Sequence, residues 1–213
     1  MESSGQPPVA RRSVGEWLFQ LATITIGVLI ALSFDSLLTW NADRMLVNEA
    51  RANIALEIED NRRDLDAHLA TYEERIVRLD NVLKLLDQQD AGVELKTGEI
   101  DIGAGFPSLN DAGWQTARQT GALALMDYGD VQGLAEIYAL QALVAENLRP
   151  SLLIVSQAGA IVYTASDPLA LPTPARDSLR ARTLELRGLV MIDDQLGRQL
   201  LAGYDERLRT AAR

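Results

Sequence analysis

The sequence predicts an all-α fold: one N-terminal transmembrane helix continues into a long stalk helix and packs with a small helical bundle. Three observations lead there. The run from Trp17 to Phe34, WLFQLATITIGVLIALSF, holds no formal charge. Asn41 to Gln89 contains neither proline nor glycine. Beyond residue 111, apolar side chains recur at the three- and four-residue spacing of amphipathic helices.

The first of these is long enough for a bilayer. At ~1.5 Å rise per residue, Trp17 to Trp40 covers about 35 Å, against a hydrocarbon core of ~30 Å. Trp17 and Trp40 stand at the two ends, where an apolar ring with a polar N–H favours the headgroup level. Asp35, ~7.5 Å inside Trp40 along a helix axis, reads as a carboxylate of the same interface. Thr23, Gly27 and Ala31 form a stripe of small residues, either a helix-packing face or a chance match. Two rivals pass the same tests. A soluble core helix would be buried, and a cleaved signal peptide would use Arg11-Arg12 as its charged region and Ala31-Leu32-Ser33 as its processing site. The apolar stretch exceeds a usual signal core, which favours a retained anchor. Arg11 and Arg12 precede the span and Arg44 and Arg51 follow it. The closer N-terminal pair favours a cytoplasmic N-terminus and a periplasmic C-terminal domain.

The segment 41–90 reads as a long stalk or coiled-coil-like helix. Leu65, Tyr72, Leu79 and Leu86 occupy one seam position, and Leu69, Ile76 and Leu83 the other. Closer to the span the stripe turns polar, which predicts a solvated stalk there. The seam serves a coiled coil, a bundle helix packed on later segments, or both. Residues 91–110 form a glycine-rich loop, or a short hairpin of Val93 and Leu95 against Ile100 and Ile102 about Thr97-Gly98.

Residues 111–213 carry the bundle. A short helix opens at Asp111 and ends by Gly121. Asp130 is the expected cap of the next, which shows Val131, Leu134, Ile137, Tyr138, Leu140 and Val144 in helical register. Pro150 is expected to stop or kink it and to open a further helix bearing Leu152, Val155 and Val162. Thr173-Pro174 resembles a cap and first-turn proline ahead of the last helix, whose apolar face runs from Leu179 to Leu208. A tail over residues 1–16 completes the expected organisation, followed by the membrane helix over 17–40.

Ile26 to Leu32 (IGVLIAL), followed by Trp40-Asn41-Ala42-Asp43-Arg44, resembles a group of uncharacterised bacterial single-pass membrane proteins. Trp114-Gln115-Thr116-Ala117 with Gly121-Ala122-Leu123 is similar to their second recurring block, and Glu136-Ile137-Tyr138 to a third. The likeness touches about half of the chain. It implies a membrane-tethered helical domain in a bacterial inner membrane and brings no activity with it.

Composition narrows the chemistry. The 213 residues hold 20 Lys+Arg against 30 Asp+Glu, a net charge of −10, which argues against a nucleic-acid partner. With no cysteine and one histidine, thiolate sites, disulfides and two-histidine zinc motifs are excluded. No nucleophile elbow or phosphate loop is present, Gly103-Ala104-Gly105 being too short. Glu57, Asp60, Asn61 and Asp64 share a helix face with His68, a set that invites a cation but lacks ligands from a second helix. It reads as a solvated face, with His68 paired to Asp64. No cofactor, metal site or catalytic residue is expected. Trp114, Gln115, Arg118, Tyr128 and Tyr138 are residue types of interface hot spots, so Trp114, Arg118 and Tyr128 are candidates for a partner surface, or Trp114 and Tyr138 are core anchors. The expected partners are the lipid bilayer and other membrane proteins, or a second copy through the membrane helix and stalk. The expected function is a non-enzymatic accessory or scaffold subunit of a larger complex. The alternative is a periplasmic ligand-sensing module acting through a partner.

Overall fold

The computed structural model describes residues 14–95, 100–103 and 105–211, and among them there is no strand. The helices are α1 (Val14–Ala70), α2 (Tyr72–Asp90), α3 (Ala112–Gln119), α4 (Tyr128–Thr164) and α5 (Thr173–Ala211). Short 3-10 turns lie at Ala122–Leu125 and Pro168–Ala170. The chain is all-α. It divides into two compact units, Met1–Asn48 and Glu49–Arg213.

In the first unit α1 is unbroken from Val14, and its most apolar 18-residue window has a mean hydropathy of 2.0 with no residue buried. Polar side chains within it look after themselves. The hydroxyls of Thr23, Thr25, Ser33 and Ser36 each donate to the carbonyl four residues back, at 2.7–2.9 Å. A hydroxyl satisfied by its own helix needs no water.

The second unit is a helical bundle. Along α1 and α2 the buried positions are Ala50, Ile54, Ile58, Asn61, Leu65, Leu69, Arg75, Leu79, Val82, Leu86 and Gln89. Steps of three and four keep them on one stripe. The expected seam residues Leu65, Leu69, Leu79 and Leu86 belong to it, while Tyr72, Ile76 and Leu83 are half-buried. This stripe is covered from within the chain. Leu79 packs with Ile154 of α4 and Leu186 and Val190 of α5. Val82 and Leu86 meet Ala158, Leu171 and Leu179. Gly197 of α5 lies so close that a Cβ there would stand 2.9 Å from Leu69 Cδ2.

Several expectations change here. The stripe does not turn polar below residue 60: Ala50, Ile54 and Ile58 are buried, so this segment is part of the bundle rather than a solvated stalk. The helix expected to run unbroken to Gln89 is interrupted at Thr71. There the Thr71 N–H and hydroxyl both donate to the His68 carbonyl, at 3.2 and 2.8 Å, tightening one turn without proline or glycine. Asp127 rather than Asp130 caps α4, accepting from Gly129 and Asp130 N–H groups. Pro150 neither stops nor restarts a helix, and α4 runs through it. Buried Leu148, Ser151 and Ile154 on either side hold the turn, and the proline ring itself is exposed. The hairpin turn at Thr97-Gly98 lies outside the described residues, as does the tail before Val14. Gly121, at φ +78°, ends α3 in the left-handed conformation that glycine adopts without steric cost.

Packing around residues 50–58 is testable. Ile58 is 1% exposed, so Ile58→Ala is expected to lower unfolding stability by about 2–4 kcal/mol in denaturant titrations of the full chain. A change within about 0.5 kcal/mol would mean that the segment is solvated.

Candidate functional site

Two polar layers cross the bundle, each built where a polar residue occupies a position of the apolar stripe. The first is centred on Asn61 of α1, which is 1% exposed. Its Nδ2 donates to the Asn110 carbonyl at 2.6 Å, and its Oδ1 accepts from the Asn110 N–H at 2.8 Å. The side-chain amide thus pairs with a stretch of main chain as a neighbouring strand would. Gln141 of α4 donates to the same carbonyl at 2.9 Å, and its Oε1 accepts from Asn61 at 3.2 Å and from the Tyr204 hydroxyl of α5 at 2.6 Å.

One turn earlier, Glu57 serves α3. Its carboxylate accepts from the N–H groups of Gly113 (2.6 Å) and Trp114 (3.3 Å) and from the Tyr138 hydroxyl (2.6 Å). Asp111, at the N-cap position, makes no side-chain cap bond. A carboxylate from another helix therefore supplies the negative charge that a helix N-terminus favours. Glycine at 113 leaves room for it, since a Cβ would stand 3.3 Å from both carboxylate oxygens. The Trp114 ring lies on Tyr138 with centroids 5.0 Å apart and planes 8° from parallel. Burial, then the Glu57 carboxylate, drives the Tyr138 hydroxyl far above its ordinary pKa, so it remains a donor. Burial likewise raises Tyr204.

The second layer lies level with the break at Thr71. Gly197 faces Leu65 and Leu69, and Val190 packs with Leu79, so Asp193 and Asp194 of α5 fall between those levels, opposite His68 and Arg75. Asp193 is 5% exposed and Arg75 4%. Asp193 accepts from Asn147 and, at 3.5 Å, from Ser151, two residues one turn apart on either side of Pro150. Asp194 pairs with Arg198 at 2.8 Å. His68 Nε2, Arg75 Nε and Asp194 Oδ1 are buried without a protein partner. Burial, reinforced by the charge of Arg75 and opposed by Asp194, lowers the His68 pKa to about 4. Burial also lowers Arg75 and, outweighing the bond from Asn147, raises Asp193.

The face expected to gather Glu57, Asp60, Asn61, Asp64 and His68 is thus divided. Glu57 and Asn61 serve the first layer, Asp60 pairs with Arg63, and Asp64 is exposed. The charged neighbours of His68 are Arg75 and Asp194 rather than Asp64. Among the described residues no group of three or more acidic or histidine side chains is arranged to hold a metal ion.

Trp114 is a core side chain at 8% exposure, whereas Tyr128 is 83% exposed. Arg118 is exposed and reaches Gln115 at 3.4 Å. The three do not form one surface. Thr23, Gly27, Ala31 and Asp35 are all exposed on α1, and no atom lies within 4 Å of a Cβ built on Gly27. Trp17 and Trp40 are 65% and 59% exposed, with the Arg44 guanidinium 5.5 Å above the Trp40 ring. Sequence reasoning missed Asn110, Gln141, Tyr204 and Arg75. For Gln141 and Arg75 a signal exists: each is a polar residue on an otherwise apolar stripe.

Fold and layers together define a class: an all-α chain with one exposed apolar helix long enough to cross a membrane and a polar-layered helical bundle. Comparison with known proteins finds no matching family model, no matching curated protein and no matching solved structure.

Each layer has its own test. Glu57→Ala leaves three half-buried donors without their acceptor and is expected to cost about 1–3 kcal/mol of stability; retention of wild-type stability in a denaturant titration would contradict the cap. For His68 the folded pKa is depressed, so the unfolded chain binds the proton first. Its contribution is present above the ordinary value of 6.5 and is lost as pH falls toward 4. The stability gap between wild type and His68→Gln should therefore shift by about 2–3 kcal/mol across that window. Asp193, raised, acts with the opposite sign in both proteins and cancels in the difference. A gap independent of pH would place His68 in water.

Proposed function

We propose that the protein is a single-pass membrane protein of the bacterial inner membrane, and that it works without catalysis as an accessory or scaffold subunit. Its N-terminus lies in the cytoplasm, and its helical bundle binds other membrane proteins of a larger complex in the periplasm. The observation that carries the membrane part is the exposure of the 17–40 segment. A core helix of the same composition would be covered by its own chain, whereas here none of the apolar window is buried. The self-satisfied hydroxyls of Thr23, Thr25, Ser33 and Ser36 suit hydrocarbon surroundings. Thr23, Gly27 and Ala31 offer a close-packing face to another membrane helix.

Support for a partner comes from α4. From Pro150 to its end at Thr164 it carries no charge, and Leu152, Leu153 and Tyr163 are 51%, 59% and 89% exposed. Uncharged, apolar exposure on a bundle helix fits a protein contact better than a solvated face. A cleft of about 440 Å³ among α1, α4 and α5 favours a second reading, a ligand-sensing module acting through a partner.

Alkaline carbonate washing of bacterial membranes tests the anchor. The full chain is expected to stay in the pellet, and Ile26→Arg/Leu29→Arg is expected to be released. Release of the wild-type chain would refute the anchor. In mild detergent the protein should co-purify with a defined partner that Leu153→Asp/Tyr163→Asp loses. A lone monomer would count against the scaffold.

A further inference from the structure

We propose that the cleft at the end of the bundle where the chain enters it binds a long-chain carboxylate, the single-tailed anionic amphiphile of a membrane. This deepens the sensing reading and rests on the membrane anchor. Ala52, Ile54, Ala55 and Ile58 of α1, Leu134 of α4 and Leu208 of α5 form its walls. Ile54, Ile58 and Leu134 are core side chains at 1–2% exposure that close the floor of the cleft, and its accessible apolar wall is Ala52, Ala55 and Leu208. Alanine at 52 and 55 leaves open the space that larger side chains would fill.

At the mouth stand Arg51, Asp130 and Arg207. Asp130 accepts from Arg51 at 2.8 Å through one oxygen and from Arg207 at 3.0 Å through the other. Two guanidinium groups share one carboxylate, so the described residues that line the cleft carry a net charge of +1. A mono-anion with an alkyl tail matches both features. Its carboxylate takes the free guanidinium N–H groups, and its methylenes leave water for the apolar walls. A cavity of about 440 Å³ lies within the range of small-molecule sites.

Chain reach brings such a ligand within range. Eight residues separate Trp40 from Glu49, where the bundle begins, and the nine steps between them, at ~3.5 Å each, span no more than about 30 Å in any conformation. With Trp40 at the headgroup level, that length bounds how far Glu49 can stand from the bilayer surface from which an acyl carboxylate partitions.

The test is photolabelling of the full chain in phosphatidylcholine nanodiscs with hexadecanoic acid carrying a diazirine in its tail, followed by peptide mapping. Label is expected on peptides holding residues 51–58, 130–134 and 207–210, and unlabelled hexadecanoic acid should compete it away. Arg51→Gln/Arg207→Gln should cut that label about tenfold or more. Ala55→Trp, which fills the cavity and keeps both arginines, should remove it. Circular dichroism melting identifies any variant that fails to fold, and either folded variant decides the matter. Label confined to residues 17–40, or cleft label indifferent to competitor and variants, overturns the proposal. That failure is separable from failure of the anchor, since it would occur in chain that carbonate leaves in the membrane.

Discussion

A buried side-chain amide, that of Asn61, is the constraint on which the bundle depends. Its two polar atoms take both main-chain groups of Asn110. Displacing either element would strand both polar atoms of the buried Asn61 amide, at about 1–3 kcal/mol for each bond left unmade. Gln141 and Tyr204 complete the set, so α1, α4, α5 and the segment leading into α3 meet at one point. Apolar burial alone tolerates sliding and rotation. A fully paired polar layer does not, because its members must all be placed together. Glu57 extends the same device, holding the start of α3 and the Tyr138 hydroxyl with one carboxylate.

The charged residues on the surface play a smaller part. Asp87 and Asp90 at the end of α2 meet Arg176 and Arg180 at the start of α5, and Asp80 meets Arg187. These pairs are solvated and weak, so they tune the register of a packing decided by the core. The acidic excess is therefore compatible with a bundle whose stability comes from buried apolar area. The mean hydropathy of −0.01 averages this polar-surfaced bundle with the exposed apolar segment at 17–40.

Helical periodicity made most of the architecture legible. The apolar run, the seam of Leu65, Leu69, Leu79 and Leu86, and the faces of α4 and α5 all follow from spacing. What spacing does not reveal is competition for hydrogen bonds. The break at Thr71 arises because a threonine hydroxyl reaches back to a carbonyl, a choice made by tertiary packing rather than by composition. Pro150 reads as a terminator, yet one missing N–H costs less than the apolar contacts on both sides return. Asp130 reads as the cap of α4, whereas Asp127 takes that place and Asp130 pairs with Arg51 and Arg207. Of the polar layers, Glu57, Asn61 and His68 stood out as residues, but apart from Arg75 their partners lie roughly 50 to 140 positions away, and long-range pairing leaves no local pattern. The apparent partner surface around Trp114 came from residue type alone, and type does not distinguish a hot spot from a core aromatic.

The most direct test of the Asn61 constraint is native-state hydrogen exchange on the full chain in lipid nanodiscs. If Asn61 fastens the segment before α3 to the bundle, the amides of Asn110, Gly113 and Trp114 exchange only with global opening, at the rate of the core amides of α4 and α5. In Asn61→Ala they should exchange by a local route at least about a hundredfold faster, while the α4 and α5 core amides still exchange together through global opening. Fast exchange of the Asn110 and Gly113 amides in the wild-type chain would contradict the account.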